Sequence, residues 1–325
     1  MKKSVLLSLL CALLLLPSQP QAWGFFGHRL INRLGVLTLP PAMIGFYKAN
    51  IDYLTENATR PDSRRSVVPD EAPRHFLDVD AYGDSALARL PHSWTDAVAR
   101  YGEDSLKRHG IVPWHVARMK YQLTEAFKTR DADNILRLSA DMGHYIADAC
   151  VPLHTTRNYN GQLSGQRGIH GFWESRLPEV LSANYDFFVG QATYLDQPTE
   201  TIWQVVGRSH AAVDSVLRFE KELTGKFSED RKYGFEERGN ATVRVYSRDF
   251  TNEYHQRLNG QVERQLRLAV HLVASYWYTC WVDAGQPDLD KLPKTASESE
   301  KKRLAREAVE LRNAPPQAAV PGHED

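Results

Sequence analysis

The chain has 325 residues, 42% of them hydrophobic and 25% charged, a balance that fills the core of one large domain or two small ones. Lys+Arg and Asp+Glu both number 40, so no global field draws the protein to nucleic acid or an anionic membrane, although a local basic groove fits that total. Three cysteines exclude a scaffold stapled by many disulfides.

Taken in chain order, residues 1–22 read as a signal peptide. Lys2 and Lys3 give a positive start, Val5 to Leu16 an apolar run, and Pro17 to Ala22 a short exit. The run is short for a membrane span, yet Pro20 is atypical two residues before the cleavage point, so an uncleaved anchor is the alternative. Cleavage after Ala22 would give a secreted or periplasmic protein beginning at Trp23. It would also remove Cys11 and leave Cys150 and Cys280, which suit one disulfide or two buried thiols equally.

Helical periodicity dominates the chain beyond Trp23, with candidate helices over 26–37, 41–57, 113–128, 133–150, 169–176, 199–224, 242–257 and 260–281. No convincing set of alternating strands emerges. Pro41 and Pro113 suit first-turn positions, Asp131 or Asp133 suits an N-cap, and Pro152 disfavours helix at Val151. Pro, Gly, Asp, Asn and Arg place loops over 59–72, 78–93 and 155–168. The expected organisation is a signal peptide over 1–22, one all-α domain over 23–286, and a dispensable segment over 287–325. Within that last segment 291–312 reads as a solvated charged helix and 313–325 as a disordered Pro/Ala-rich tail.

Metal chemistry is suggested by a few histidines and carboxylates. His144 and Asp148 are four apart on one helix, so they share a face, and His154 lies just past the break at Pro152. His170 and Glu174 repeat the spacing after a Gly-rich loop, with Phe172 and Trp173 placed to wall a site. His75 lies in the segment Arg74-His75-Phe76-Leu77-Asp78. Each pair alone is also what an ordinary amphipathic helix carries. A chain beginning at Trp23 adds a free amino group and carbonyl that can chelate a divalent ion, with His28 about a turn away.

The ordered set resembles the bacterial zinc-dependent phospholipases C and their relatives, the single-strand-specific zinc nucleases. It comprises Trp23-Gly24-x-x-Gly27-His28, His75-Phe76-x-Asp78, His144-x-x-x-Asp148 with Pro152-Leu153-His154, and His170-x-x-x-Glu174. The likeness spans Trp23 to Glu174, and it implies an all-α domain of that type holding three Zn2+ ions. It assigns Asp62, His75, His144 and Asp148 to one ion, and His154, His170 and Glu174 to a second. A third would take Trp23, His28 and the other oxygen of Asp148. Asp52 and Asp70 rival Asp62 for the carboxylate upstream of His75. His92, His109, His115, His210, His255, His271 and His323 are left as surface or packing residues.

The expected activity is zinc-dependent hydrolysis of phosphoric diesters by metal-activated water, with Asp62 as the catalytic residue that orients or deprotonates it. Glu174 as last ligand, the short 155–168 loop and the scarcity of cysteine favour a phospholipase C-like enzyme with peripheral membrane contact. A single-strand nuclease or nucleotidase is the alternative, and Phe25, Phe26, Tyr145, Tyr159 and Trp173 suit a lipid headgroup or a base equally. The partner is thus a phospholipid or nucleic-acid phosphodiester substrate, with no stable protein partner inferred. In another class stands a secreted zinc-binding protein without turnover.

Overall fold

The computed structural model describes residues 24–65, 67–239 and 241–314, so the leader over 1–22, Trp23, His323 and the 315–325 tail lie outside the described residues. The architecture is predominantly helical, and one two-stranded antiparallel sheet is present among the described residues.

The organising element is the helix Ala132–Ala149. Asp131 caps its start by accepting the Asn134 amide at 3.1 Å. Its end is set by Pro152, before which Val151 takes an extended conformation at φ −87°, ψ 121°. Every residue from Met142 to Ala149 is buried, so this half threads the middle of the molecule instead of lying on it. Around it pack Gly24–Leu37, Val112–Thr129 and Gln261–Asp283. Their contact is made by fully buried side chains such as Ile31, Leu123, Phe127, Ile146, Val273 and Trp277, each worth about 1.5–3 kcal/mol. Ser139 of the central helix satisfies the polar tips of two large aromatics: Trp277 Nε1 donates to its carbonyl at 3.0 Å, and the Tyr47 hydroxyl meets its Oγ at 2.9 Å.

Several expected elements take a different form. The 41–57 helix divides at Asn50 into Pro41–Ala49 and Ile51–Glu56, with the Asn50 side chain donating to the Phe46 carbonyl. The 199–224 helix divides at Ala212 into Pro198–Ala211 and Val213–Thr224. The 242–257 reading is overturned in its first half. Strand β1, Tyr233–Arg238, pairs with strand β2, Ala241–Tyr246, and the helix begins only at Arg248, where Ser247 accepts the Phe250 amide. Thr242, Val243, Val245 and Tyr246 are β-branched or aromatic and fit a pleated surface better than a helix.

Inside the expected loops lie short helices, Arg60–Arg64 and Ala86–Arg89; Trp94–Tyr101 and Glu103–Arg108 are helices beyond those expected. The charged stretch does form a helix, Glu298–Asn313, but it is docked rather than merely solvated: Tyr53 donates to Glu300 at 2.7 Å, and Arg60 pairs with Glu307. Cys150 and Cys280 are free, buried thiols, which removes the disulfide alternative.

Candidate metal centre

The central helix delivers His144 and Asp148 into the interior, both fully buried. His75, in the 3-10 turn Ala72–His75, reaches the same point with its Nδ1 2.9 Å from Asp148 Oδ2, and His144 Nε2 lies 3.2 Å from that oxygen. Asp62, on the short helix Arg60–Arg64, sets Oδ1 3.5 Å from His144 Nε2 and 3.7 Å from His75 Nδ1. From the helix Gly24–Leu37, His28 points its Nε2 at the other carboxylate oxygen, Asp148 Oδ1, at 3.5 Å. Asp148 therefore faces different imidazoles with its two oxygens.

A separate cluster forms past the helix break. His154 follows in the turn Pro152–Thr155, and Gly168 takes φ +92° to start the segment carrying His170 and Glu174. That segment widens into a π-helical turn over Phe172–Arg176, with Glu174 Oε2 3.1 Å from His170 Nε2 and 3.4 Å from His154 Nε2. The two halves of the centre are stitched through backbone: the Leu77 amide donates to the His154 carbonyl, and His154 Nδ1 meets the His75 carbonyl at 2.6 Å.

Three sets of ligand atoms thus converge closely enough to hold ions: His28, His144 and Asp148; Asp62, His75 and His144; and His154, His170 and Glu174. Eight of the nine residues singled out by sequence come together in these sets, while Trp23 lies outside the described residues. The rivals of Asp62 are elsewhere, Asp52 exposed beside Arg33 and Asp70 bonded to Lys107.

Backbone carbonyls select the tautomers. His144 Nδ1 donates to the Ala58 carbonyl at 2.8 Å and His154 Nδ1 donates to His75, so in the neutral form of each ring the lone pair falls on Nε2, facing the carboxylates. Electrostatics reflect the crowding. Burial, reinforced by neighbouring His144, holds His28 down to about 3. Burial likewise lowers His75 to about 3 against the pull of Asp148. His144 resists burial because Asp148 and Asp62 hold it up at about 10. Asp148 is kept well below the usual carboxylate range: burial opposes its charge, but His144 and then His154 prevail.

The residues fit a divalent cation. Both ring nitrogens of His28, both oxygens of Asp62, Nε2 of His75, Oδ1 of Asp148 and Oε1 of Glu174 are buried without a hydrogen-bond partner. Buried polar atoms are rarely left so, and a cluster of them is what a site able to hold an ion presents. The donors are imidazole and carboxylate without thiolate, a set that zinc accepts.

Phe172 stacks on Tyr246 with ring centroids 3.8 Å apart, and Trp173 bonds to Gln261. Tyr145 lies against the cluster, 5.3 Å from the ring of His75 and 5.5 Å from that of His144. Sequence reading missed Glu71, which is buried, accepts from the Tyr145 hydroxyl and Arg74, and sets Oε1 3.8 Å from His75 Nε2. Its signal was the same four-residue spacing, Glu71 to His75. Beside the centre a cleft of about 710 Å³ lies between Gly24–Phe26, the 167–179 segment and the hairpin, lined in part by Phe25, Phe26, Arg167, Arg244 and Tyr246.

Comparison of the chain with protein-family models gives no match, and comparison with curated proteins gives none either.

Proposed function

We propose that this protein is a secreted, zinc-dependent phosphoric diester hydrolase of the phospholipase C type, belonging to the superfamily its motifs resemble. One observation carries the reading: Asp148 faces His28 with one oxygen and His75 and His144 with the other, beside a second His-His-Glu cluster. A lone structural metal needs one closed set of donors, whereas adjoining sets sharing a carboxylate suit the clamping of a phosphate between ions. Asp62, His75, His144 and Asp148 would hold one ion, His154, His170 and Glu174 another, and His28 with Asp148 and the Trp23 terminus a third. Bound zinc would supply Lewis-acid polarisation of phosphoryl oxygens and a water of lowered pKa.

The chain's own residues do the rest. The carbonyls of Ala58 and His75 fix the rings of His144 and His154, so no reorganisation is needed when substrate arrives. Asp62, whose carboxylate oxygens have no hydrogen-bond partner, is the group that orients the attacking water or takes its proton. The free thiols at Cys150 and Cys280 fit the phospholipase reading better than that of the disulfide-stabilised nucleases.

The test is hydrolysis of a chromogenic phosphodiester by zinc-loaded protein, with and without chelator, alongside phosphatidylcholine vesicles and single-stranded DNA. Chelator-sensitive turnover of the lipid is expected. Turnover confined to DNA would move the assignment to the nuclease branch, and a zinc-loaded protein inert on all three would be a binding protein.

A further inference from the structure

The helix Glu298–Asn313 lies about 240 residues from Asp62 in sequence yet is fastened to the short helix that carries it. Glu307 is the fastening. Its Oε2 lies 2.5 Å from Arg60 and its Oε1 3.7 Å from Arg64, so it grips residues two before and two after Asp62. All three side chains are less than one-fifth exposed (Arg60 16%, Arg64 15%, Glu307 18%), which sets them apart from freely solvated ion pairs.

Glu307 is itself held in place. Arg303 donates to it at 2.8 Å, and Arg303 forms a two-pronged pair with Glu300, which also accepts from Tyr53. Ser297 caps the helix through the Glu300 amide, and its own amide bonds to Asp133, in the first turn of the His144 helix. The charged helix is thus tied to both the Asp62 and the His144 elements.

The Asp62 helix has little of its own to fix it. It is five residues long, only Pro61 in it is buried, and the Asp62 carboxylate makes no hydrogen bond. Arg64 extends the linkage inward. It bonds to Asp141 at 2.9 Å and reaches Glu71 and the Tyr145 hydroxyl at 3.4 Å, and Glu71 in turn faces His75. Through one arginine, the charged helix bears on both Asp62 and His75.

We propose that Glu307 is a positioning residue, and that the helix Glu298–Asn313 completes the Asp62–His75 half of the metal centre while leaving the His154–His170–Glu174 half unaffected. This rests on the reading of Asp62 and His75 as metal-holding residues. Groups that orient metal ligands change affinity about 10–100-fold when removed.

The experiment uses full-length protein and zinc itself as the probe. Zinc titration against a chromophoric chelator, with ion counting by mass spectrometry, is run on wild type, Glu307→Ala, Glu307→Gln and the exposed same-helix control Glu310→Ala. Expected is about a 10-fold or greater loss of affinity for one ion in both Glu307 variants, with the His170 ion and the control unchanged. Glu307→Gln keeps the side-chain shape, so it decides the matter if the alanine variant fails to fold. Unchanged affinities in Glu307→Gln, or equal weakening of every ion, would overturn the proposal. Asp62→Asn, run in parallel, separates the two ideas. If it also leaves zinc binding intact, the assignment of Asp62 is what fails; if it loses an ion while Glu307→Gln does not, only the role of the helix does.

Discussion

The imidazole of His28 stacks on that of His144, with ring centroids 3.8 Å apart and 18° between their planes. Two imidazolium rings so placed would repel in a dry interior, so the chain carries charge on one. His144, which faces two carboxylates, is the protonated ring, and His28 stays neutral down to about pH 3.

That asymmetry sets the pH dependence of the metal-free chain. His28 and His75 titrate near 3 in the fold and near 6.5 when unfolded, so between those values the unfolded chain binds more protons and their contribution to stability is lost as pH drops from 6.5 toward 3. The slope is about 1.4 kcal/mol per pH unit for each ring. His144 acts oppositely: raised to about 10, its contribution is fully present below 6.5 and is lost as pH rises through 10. Urea unfolding with chelator present should therefore give a stability maximum near neutrality. A profile that is flat from pH 4.5 to 9 would show that these rings are not held as described.

Replacement of Asp148 should be felt at more than one ion, because its two oxygens face different imidazoles. Asp148→Asn is expected to lower bound zinc by more than one equivalent, and Glu174→Gln by one, since Glu174 serves only the His154–His170 set. Ion counting on the two purified variants checks this. An Asp148→Asn protein short of just one ion would remove the shared-carboxylate reading.

Gly143, next to His144, is where two helices meet too closely for a side chain. A Cβ there would fall 1.9 Å from Asn32 Oδ1, and Asn32 donates to the Leu54 and Ala140 carbonyls from a fully buried position. Gly143→Ala should cost about 1–3 kcal/mol from overpacking, with a further penalty if the Asn32 bonds break. Zinc should weaken at the set containing His28, one turn before Asn32. Chemical denaturation and zinc titration both report the change, and a variant as stable as wild type would refute the close packing.

Glu220 and Lys232 form a buried pair at 2.7 Å, with Lys232 also bonded to Thr224 and lying over the rings of Tyr233, Tyr246 and Phe250. Glu220 also accepts from Gln166, in the loop that leads to His170. Glu220→Ala strands the lysine and should cost about 3–5 kcal/mol, whereas replacing both partners with apolar residues should cost less. Unfolding curves for the single and double variants make the comparison, and a mild single variant alongside a severe double one would contradict it.

Much of the centre was legible because its signals are local. The pairs His144/Asp148 and His170/Glu174 lie one helical turn apart, and the helix alone brings their side chains together. The long helices were readable for the same reason, since a period of 3.6 residues is written in the segment that forms it. The hairpin escaped, because β1 gains its partners from β2 rather than from its own sequence, and Gly234, Glu236 and Glu237 carry no strong strand signal.

Sequence by itself determined which side chains could hold a metal and that a helical chain presents them in pairs. The resemblance already favoured Asp62 over Asp52 and Asp70 and gave Asp148 two sides; the tertiary structure sets Asp62 beside His75, points the two Asp148 oxygens at different imidazoles, and alone brings Glu71, Arg64 and the distant Glu307 around the site. The physical reason is range. Helical spacing acts over four residues, whereas burial, tautomer and charge depend on what packs opposite, and that is fixed only when segments more than two hundred residues apart close on one another.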